Sequence, residues 1–199
     1  MKNHKLPPIS IGNTQRDWAN ELFSDEDTYG IKNAAGEILL PPVFEDFMGV
    51  NGIELRKGDK VIAKRNGRWG VAIADGKETW LIKPVFHYIG FPNPVTHVRK
   101  GNRWGIINIV TGDFIIPLTC EMVYDNHGFL FNNGIGFYKK EGKIGVIRED
   151  YSLTKPIFED FDPGPEGPVK VKYNGKWGYI NEENSFTTEL DEADYWFEA

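Results

Sequence analysis

The chain has 199 residues, of which 40% are hydrophobic, 26% charged and 14% aromatic, and its formal net charge is −6 at pH 7. This composition excludes collagen-like and low-complexity disordered chains, and no segment approaches the roughly 18 consecutive apolar residues of a membrane-spanning helix. An acidic chain repels phosphate, so we expect neither general nucleic-acid binding nor attachment to anionic membranes.

The single cysteine, Cys120, excludes an internal disulfide framework and favours a reducing compartment. The first residues lack the apolar stretch of a secretory signal. Together these features predict a cytoplasmic location.

Residues 1–26 are interpreted as an N-terminal cap or arm. Within them, residues 17–23 predict a short amphipathic helical turn that closes the first unit, with a mobile arm as the alternative. We favour the cap because Trp18, Leu22 and Phe23 are apolar and costly to expose.

Residues 27–199 repeat one short pattern five times, in units of about 27–60, 61–94, 95–134, 135–168 and 169–199. Each unit has an aromatic residue or Ile followed by a glycine that we call the pivot glycine. These core positions are Tyr29 and Gly30, Trp69 and Gly70, Trp104 and Gly105, Ile144 and Gly145, and Trp177 and Gly178. In four units an Asn-Gly, Gly-Asn or Glu-Gly pair precedes the core, and the first unit lacks this turn signature.

The repeated pattern predicts β-hairpins. An Asn-Gly pair between apolar and basic residues is a strong signal for a two-residue turn with positive φ at both positions. Gly36 and Gly76, six residues after the pivot, and Gly112, seven after, predict a second positive-φ turn. We expect an aromatic ring over each pivot glycine and two or three strands in each unit.

A second segment recurs further downstream, in the form Pro-x-Phe followed in two units by Glu-Asp. Its best copies are residues 42–47, 84–89 and 156–161. With the Asn-Gly-Arg/Lys-Trp-Gly core, it resembles the WG-repeat family, also called KWG repeats, over about residues 27–199. The resemblance implies a β-rich tandem array, found mostly in bacterial proteins, without assigned catalytic residues. Ile144 in place of Trp, the turnless first unit and the Pro-less last unit depart from the pattern.

The predicted fold is therefore all-β, with tandem hairpin repeats stacked as an elongated or curved solenoid-like array. A closed propeller-like ring is the alternative, because about 37 residues is close to the length of a propeller blade. We rank the ring lower because each unit shows two or three strands rather than four.

The sequence offers no catalytic, cofactor-binding or metal-binding constellation. The histidines His4, His87, His97 and His127 have no metal-ligand spacing. Cys120 is interpreted as a buried small hydrophobe rather than a nucleophile. The Glu-Asp pairs recur from unit to unit, which argues against a general acid-base role. We expect no enzyme activity, no cofactor and no small-molecule substrate.

Basic residues are concentrated before the core Trp or Ile of four units. These candidate partner-binding residues are Lys64, Arg65, Arg68, Arg99, Lys100, Arg103, Lys139, Lys140, Lys143, Lys172 and Lys176. In a structural interpretation, which we favour, they pair with Glu-Asp of an adjacent unit and cover Trp rings. In a functional interpretation they form a basic row that binds an anionic partner.

The C-terminal segment carries three consecutive aromatics, Tyr195 to Phe197, and Trp196 is a further candidate partner-binding residue. These rings either seal the last unit or form a docking strip. The leading functional hypothesis is a non-enzymatic scaffold that binds another protein, as a regulatory or immunity-type binder. The alternative is a binding module for carbohydrate, cell-envelope or other anionic polymer, which requires exposed Trp rings.

Overall fold

The computed structural model describes residues 20–50, 54–91, 94–124, 130–131, 134–162, 170–180 and 185–188. Among these residues every regular element is a β-strand, and the strands form five small antiparallel sheets. The expected all-β class with hairpin sheets is confirmed. Trp18, His4, His127 and the candidate partner-binding residue Trp196 lie outside the described residues.

The sheets follow one another along the chain, and each contains only strands that are consecutive in sequence. The first sheet comprises β1 (Asn20–Asp25), β2 (Thr28–Asn33) and β3 (Ile38–Phe44). The second comprises β4 (Asp46–Met48), β5 (Lys60–Arg65), β6 (Arg68–Ile73) and β7 (Thr79–Phe86). The third comprises β8 (Tyr88–Ile89), β9 (Val95–Lys100), β10 (Arg103–Asn108) and β11 (Phe114–Cys120).

The last two sheets repeat the arrangement. The fourth comprises β12 (Met122–Val123), β13 (Ile135–Lys140) and β14 (Lys143–Arg148). The fifth comprises β15 (Asp160–Asp162), β16 (Lys170–Tyr173), β17 (Lys176–Ile180) and β18 (Phe186–Thr187). The expectation of two or three strands per unit is wrong for units 61–94 and 95–134, which contain four, whereas the described residues of the other units contain three. Three of the sheets have four strands because each takes its first strand from the end of the preceding unit. In the fourth sheet, bridges from Ile144 to Phe158 and from Ile147 to Leu153 continue the ladder.

The N-terminal prediction of a helical turn is also wrong for residues 20–23, which belong to strand β1. This strand pairs with β2, and its Asp25–Thr28 pair encloses a two-residue turn at Glu26 and Asp27. Glu26 has a φ of 52°. The first unit therefore has a two-residue turn built from acidic residues, although it lacks the Asn-Gly signature.

The other hairpin turns follow the predicted chemistry. Asn66 and Gly67 have φ values of 50° and 69°. Both residues also have positive φ in the turns Glu141-Gly142 and Asn174-Gly175. A two-residue turn with positive φ at both positions matches the twist of the flanking strands. At Gly101-Asn102 only Gly101 has positive φ. The predicted positive φ at Gly36, Gly76 and Gly112 is confirmed, with values of 80°, 82° and 85°.

The hydrophobic core consists of four clusters, and each draws its buried residues from two consecutive sheets. In chain order the clusters contain Ile31 and Val61, Val71 and Val98, Ile106 and Tyr138, and Val146 and Val171. Successive residues of one strand join different clusters, because side chains alternate between the two faces of a sheet. Val61, for example, lies in the cluster shared with the first sheet and Ile62 in that shared with the third.

Each pivot glycine of the first three sheets lies opposite a wide bulge in the outer strand. In the second sheet Trp69 pairs with Phe86 and Val71 with Ile82, so Gly70 alone opposes residues 83–85. The same offset sets Gly30 against residues 41–43 and Gly105 against residues 117–119. Each bulge contains proline, which donates no ladder hydrogen bond and is tolerated at such irregularities.

The bulge brings main-chain carbonyls against the pivot Cα atoms. A Cβ atom on Gly70 would lie 2.5 Å from the Ile82 oxygen, and one on Gly105 would lie 2.8 Å from the Ile116 oxygen. The expected aromatic ring is present at Gly30, Gly145 and Gly178, from Phe23, Tyr138 and Phe186. The expectation of a ring is wrong at Gly70 and Gly105, where main-chain atoms fill the space.

This packing makes a prediction for Gly70→Ala, because the added Cβ would lie too close to the Ile82 oxygen and main chain would have to shift. We expect a loss of about 3 kcal/mol in the free energy of unfolding, as for other overpacked sites. Gly36→Ala is the matched control: its Cβ meets nothing within 4 Å, and it costs only the positive-φ penalty of about 1 kcal/mol. Urea unfolding checks both variants, and equal losses would contradict the close-approach explanation.

Candidate functional site

Five hairpin turns, with the basic residues that flank four of them, form the candidate site, and we call each turn with its flanking residues a tip. The residue that follows each outer strand accepts a hydrogen bond from a main-chain amide of the next tip. Glu45 Oε2 accepts from Gly67 at 3.0 Å, and Glu121 and Glu159 accept from Gly142 and Gly175 at 3.1 Å.

The third tip uses a different acceptor at the equivalent position. His87 Nδ1 accepts from the Gly101 amide at 3.0 Å, so the imidazole is neutral at this nitrogen in the bonded state. His87 aligns in sequence with Glu45 and Glu159, and the sequence pattern alone did not assign a role to this position. The missed signal is that this position always carries a hydrogen-bond acceptor.

These bonds bring consecutive tips beside one another. Phe86 pairs with Trp69 next to the second tip, and its neighbour His87 bonds the third tip. In the same way, Phe44 and Phe158 pair with the core residue beside one tip, and Glu45 and Glu159 that follow them bond the next tip. A shallow groove lined by Arg103, Glu121 and Lys140 lies between the third and fourth tips. Each bond therefore places the end of one sheet beside the tip of the next, and we call the five tips together the tip row.

The Glu-Asp pairs that sequence reasoning considered as acid-base groups have separate structural positions. The Glu carboxylates accept from turn amides, as described above, rather than from Lys or Arg side chains. Asp46 pairs across the ladder with Lys64, and Asp160 pairs with Lys172. The Glu-Asp residues therefore contact the tips through bonds from Glu to turn amides rather than through the expected pairing with Lys and Arg side chains.

Several tip cations are engaged within the fold. The Lys64 ammonium lies 5.7 Å from the centre of the Trp69 ring, and the Arg99 guanidinium lies 5.5 Å from that of Trp104. Arg65 donates to the Val43 carbonyl and lies 3.6 Å from Glu78. The predicted covering of Trp rings by basic side chains is confirmed at these two rings.

The candidate partner-binding residues differ in exposure. The exposed ones are Arg99, Lys100, Arg103, Lys143 and Lys176. The half-buried ones are Lys64, Arg65, Arg68, Lys139, Lys140 and Lys172. The first tip carries Asp25, Glu26 and Asp27 instead, so the tip row is acidic at its N-terminal end and basic along the rest.

The core aromatic position faces the following sheet. Trp69 and Trp104 are half-buried and pack against the clusters shared with the third and fourth sheets. Ile144 is only 4% exposed in the cluster shared with the fifth sheet, whereas Trp177 is 46% exposed. Burial at this position therefore depends on a following sheet, which the sequence pattern did not reveal.

Two reactive side chains are buried side by side between the third and fourth sheets. Cys120 is fully buried, and its burial raises the pKa of the thiol. Burial also raises the pKa of Tyr138 to about 12, and its hydroxyl donates to the Thr154 carbonyl at 2.6 Å. The interpretation of Cys120 as a packed hydrophobe is consistent with this environment, because the thiolate is the reactive form.

His97 is fully buried in the same region. Its ring stacks on Trp104 with the centroids 5.7 Å apart and lies 5.5 Å from Tyr88. Across the described part of the chain, His, Cys, Asp and Glu side chains form no group of three or more that could hold a metal ion. The same residues include no helix that could span a membrane.

Comparison with known proteins gives little further information. No protein family matches the chain, and no curated protein sequence is similar to it. One solved structure that matches is described as a crystal structure of the eukaryotic initiation factor, with a TM-score of 0.37 and 12% identity over 85% of this chain. This chain corresponds to 51% of that chain, about half its length.

The acceptor at each tip makes a prediction for Glu45. Glu45→Ala removes the bond to the Gly67 amide, and we expect a loss of about 1 kcal/mol in the free energy of unfolding. Glu45→Gln keeps an accepting oxygen and loses less. Thermal unfolding measures the loss, and the Gly67 amide proton shift measures the bond.

Glu54→Ala is the control, because Glu54 belongs to an exposed ion pair with Arg56 at 3.7 Å. Such pairs contribute little, so we expect almost no change in stability. An unchanged Gly67 amide shift in Glu45→Ala would contradict the assigned bond.

The burial of Cys120 makes a separate prediction. In native buffer at pH 8 a thiol reagent labels Cys120 only when the third and fourth sheets separate, because the thiol is inaccessible and its raised pKa keeps it protonated. We expect labelling to accelerate in urea in parallel with unfolding. Complete labelling of the folded protein within seconds would contradict the packing.

Proposed function

We propose that the chain is a WG-repeat protein whose five sheets stack as an open, solenoid-like array. The four clusters support this proposal, since each is shared by consecutive sheets and, among the described residues, none joins the first sheet to the fifth. The four-stranded sheets remove the strand-count argument against a ring. The proposal of an open array therefore rests on the order in which the four clusters join consecutive sheets.

The proposed function is a non-enzymatic scaffold that binds another protein along the tip row. The observation that supports it is the repeated bond from the end of one sheet to the tip of the next, which holds the tips in fixed succession. Stacked repeats typically use such extended surfaces for binding. The family resemblance would suit a bacterial, cytoplasmic regulatory or immunity-type binder.

The charge of the tip row favours an acidic partner. Lys100, Lys143 and Lys176 are exposed on three different tips, and the protein carries a net charge of −6. A localised basic edge on an acidic molecule steers an acidic protein surface to that edge and repels it elsewhere. Each exposed contact contributes little, so affinity requires several tips together.

Binding of carbohydrate or another polymer is the second candidate, and one observation favours it. Trp177 is 46% exposed beside Lys172, its cross-strand neighbour, so an indole face is accessible there. Trp69 and Trp104 are half-buried and offer less surface. This candidate requires Trp177→Ala to abolish retention on a polymer that the parent protein binds.

Charge reversal tests the scaffold proposal. Lys100→Glu, Lys143→Glu and Lys176→Glu combined should reduce partner capture from the native cell by at least tenfold, with little change in melting temperature. The control combines Lys57→Glu, Lys77→Glu and Lys155→Glu, which are exposed residues away from the tips and give the same net charge. Affinity capture with quantitative mass spectrometry compares the two triple variants.

Capture of one protein that survives the control and is lost in the tip variant supports the proposal. Equal loss in both variants would indicate a response to net charge alone and would contradict a role for the tip row. Capture should also fall steeply as salt rises from 50 to about 300 mM, because exposed charges are screened over about a Debye length.

A further inference from the structure

The outer face of the fifth sheet is built like a face that another layer covers. In the second and third sheets, the residue pairs Trp69 with Val71 and Trp104 with Ile106 point toward the following sheet and pack in its cluster. The equivalent pair in the fifth sheet is Trp177 with Tyr179. The described residues place no following sheet against this pair, and Trp177 is 46% exposed.

The same face carries positive charge. Lys172 pairs across the ladder with Trp177, and Lys170 pairs with Tyr179, so both lysines lie on the face of these aromatic rings. The Lys170 ammonium lies 5.9 Å from the centre of the Tyr179 ring. A layer that covers this face must therefore offer apolar side chains and negative charge together.

The sequence that follows the last strand has this composition. Strand β18 (Phe186–Thr187) pairs with β17 at the edge of the sheet, and Thr187 lies directly opposite Tyr179. Residues 189–199 contain five acidic residues, no Lys or Arg, and the aromatic run Tyr195, Trp196 and Phe197. Eleven extended residues reach about 36 Å, which exceeds the roughly 20 Å width of four strands.

We propose that residues 189–199 dock on the outer face of the fifth sheet, with their aromatic rings on Trp177 and Tyr179 and their carboxylates beside Lys170 and Lys172. These residues would cover the face that a following sheet covers in the earlier units. The proposal does not depend on the partner of the tip row. It assigns Trp196 to sealing the fold rather than to partner binding.

Zero-length carbodiimide cross-linking tests the proposal on the intact protein. The reagent joins a carboxylate to a lysine that it contacts, so we expect links from Asp191, Glu192 or Asp194 to Lys170 or Lys172. An equal mixture of unlabelled and 15N-labelled protein separates links within one chain from links between chains. Links that are mainly between chains would overturn the proposal in favour of docking by a second copy.

Residues 189–199 are attached next to the fifth sheet, so chance encounters without docking would also give some links. A variant of these residues distinguishes the two cases. Tyr195→Ala, Trp196→Ala and Phe197→Ala combined keep every carboxylate and the same chain length, and circular dichroism at the temperature of the cross-linking confirms that the variant is folded. Docking predicts that this variant loses at least four fifths of the links. An unchanged yield would show a tethered but undocked tail and would overturn the proposal.

A second readout follows the face itself. Trp177 should become more accessible when the tail is removed, so the Δ189–199 protein should show stronger acrylamide quenching than the Trp196→Phe protein. In a Trp177→Phe background the two proteins should be quenched equally. Quenching that is unaffected by tail removal would contradict docking at Trp177.

Discussion

The architecture depends on the close approach of an outer-strand carbonyl to a pivot glycine. Three residues of the outer strand oppose one glycine in each of the first three sheets, and the resulting bulge contains the proline of the Pro-x-Phe segment. A side chain on Gly70 would collide with the Ile82 oxygen. The bulge also determines where the outer strand ends, so the next residue reaches the following tip. Glycine, proline and the tip acceptor are therefore three parts of one local geometry.

Neighbouring sheets pack together because successive side chains of a strand alternate between its two faces. One face of the central hairpin packs toward the preceding sheet and the other toward the following sheet, as Val61 and Ile62 demonstrate. Stability in such an arrangement is the sum of sheet and interface contributions. The faces that pack between sheets are thus buried in the fold, and the proposed function assigns partner binding to the tips. The fifth sheet differs because Trp177 faces outward without a described sheet beyond it.

Local chemistry explains which features the sequence predicted. Asn66-Gly67 identifies its turn because few other residue pairs adopt positive φ at both positions, whereas Glu26-Asp27 forms a two-residue turn in which only Glu26 has positive φ. The four-stranded sheets were not predicted, because Pro84 lies within strand β7 and the pairing of residues on both sides of a bulge is a long-range property. The role of His87 was missed for the same reason, since its bond joins residues 14 positions apart. The basic tips were found, but the bonds from one sheet to the tip of the next join residues far apart in sequence.

Distances between tips test the open array most directly. Spin labels at Asp27→Cys with Asn102→Cys, and at Asp27→Cys with Lys176→Cys, report the separation of the first tip from the third and from the fifth, while buried Cys120 stays unlabelled. Face-to-face sheets lie about 10 Å apart, so the account predicts about 20 Å for the first pair and up to about 40 Å for the second. A first-to-fifth distance shorter than the first-to-third distance would indicate a closed ring and would contradict the account.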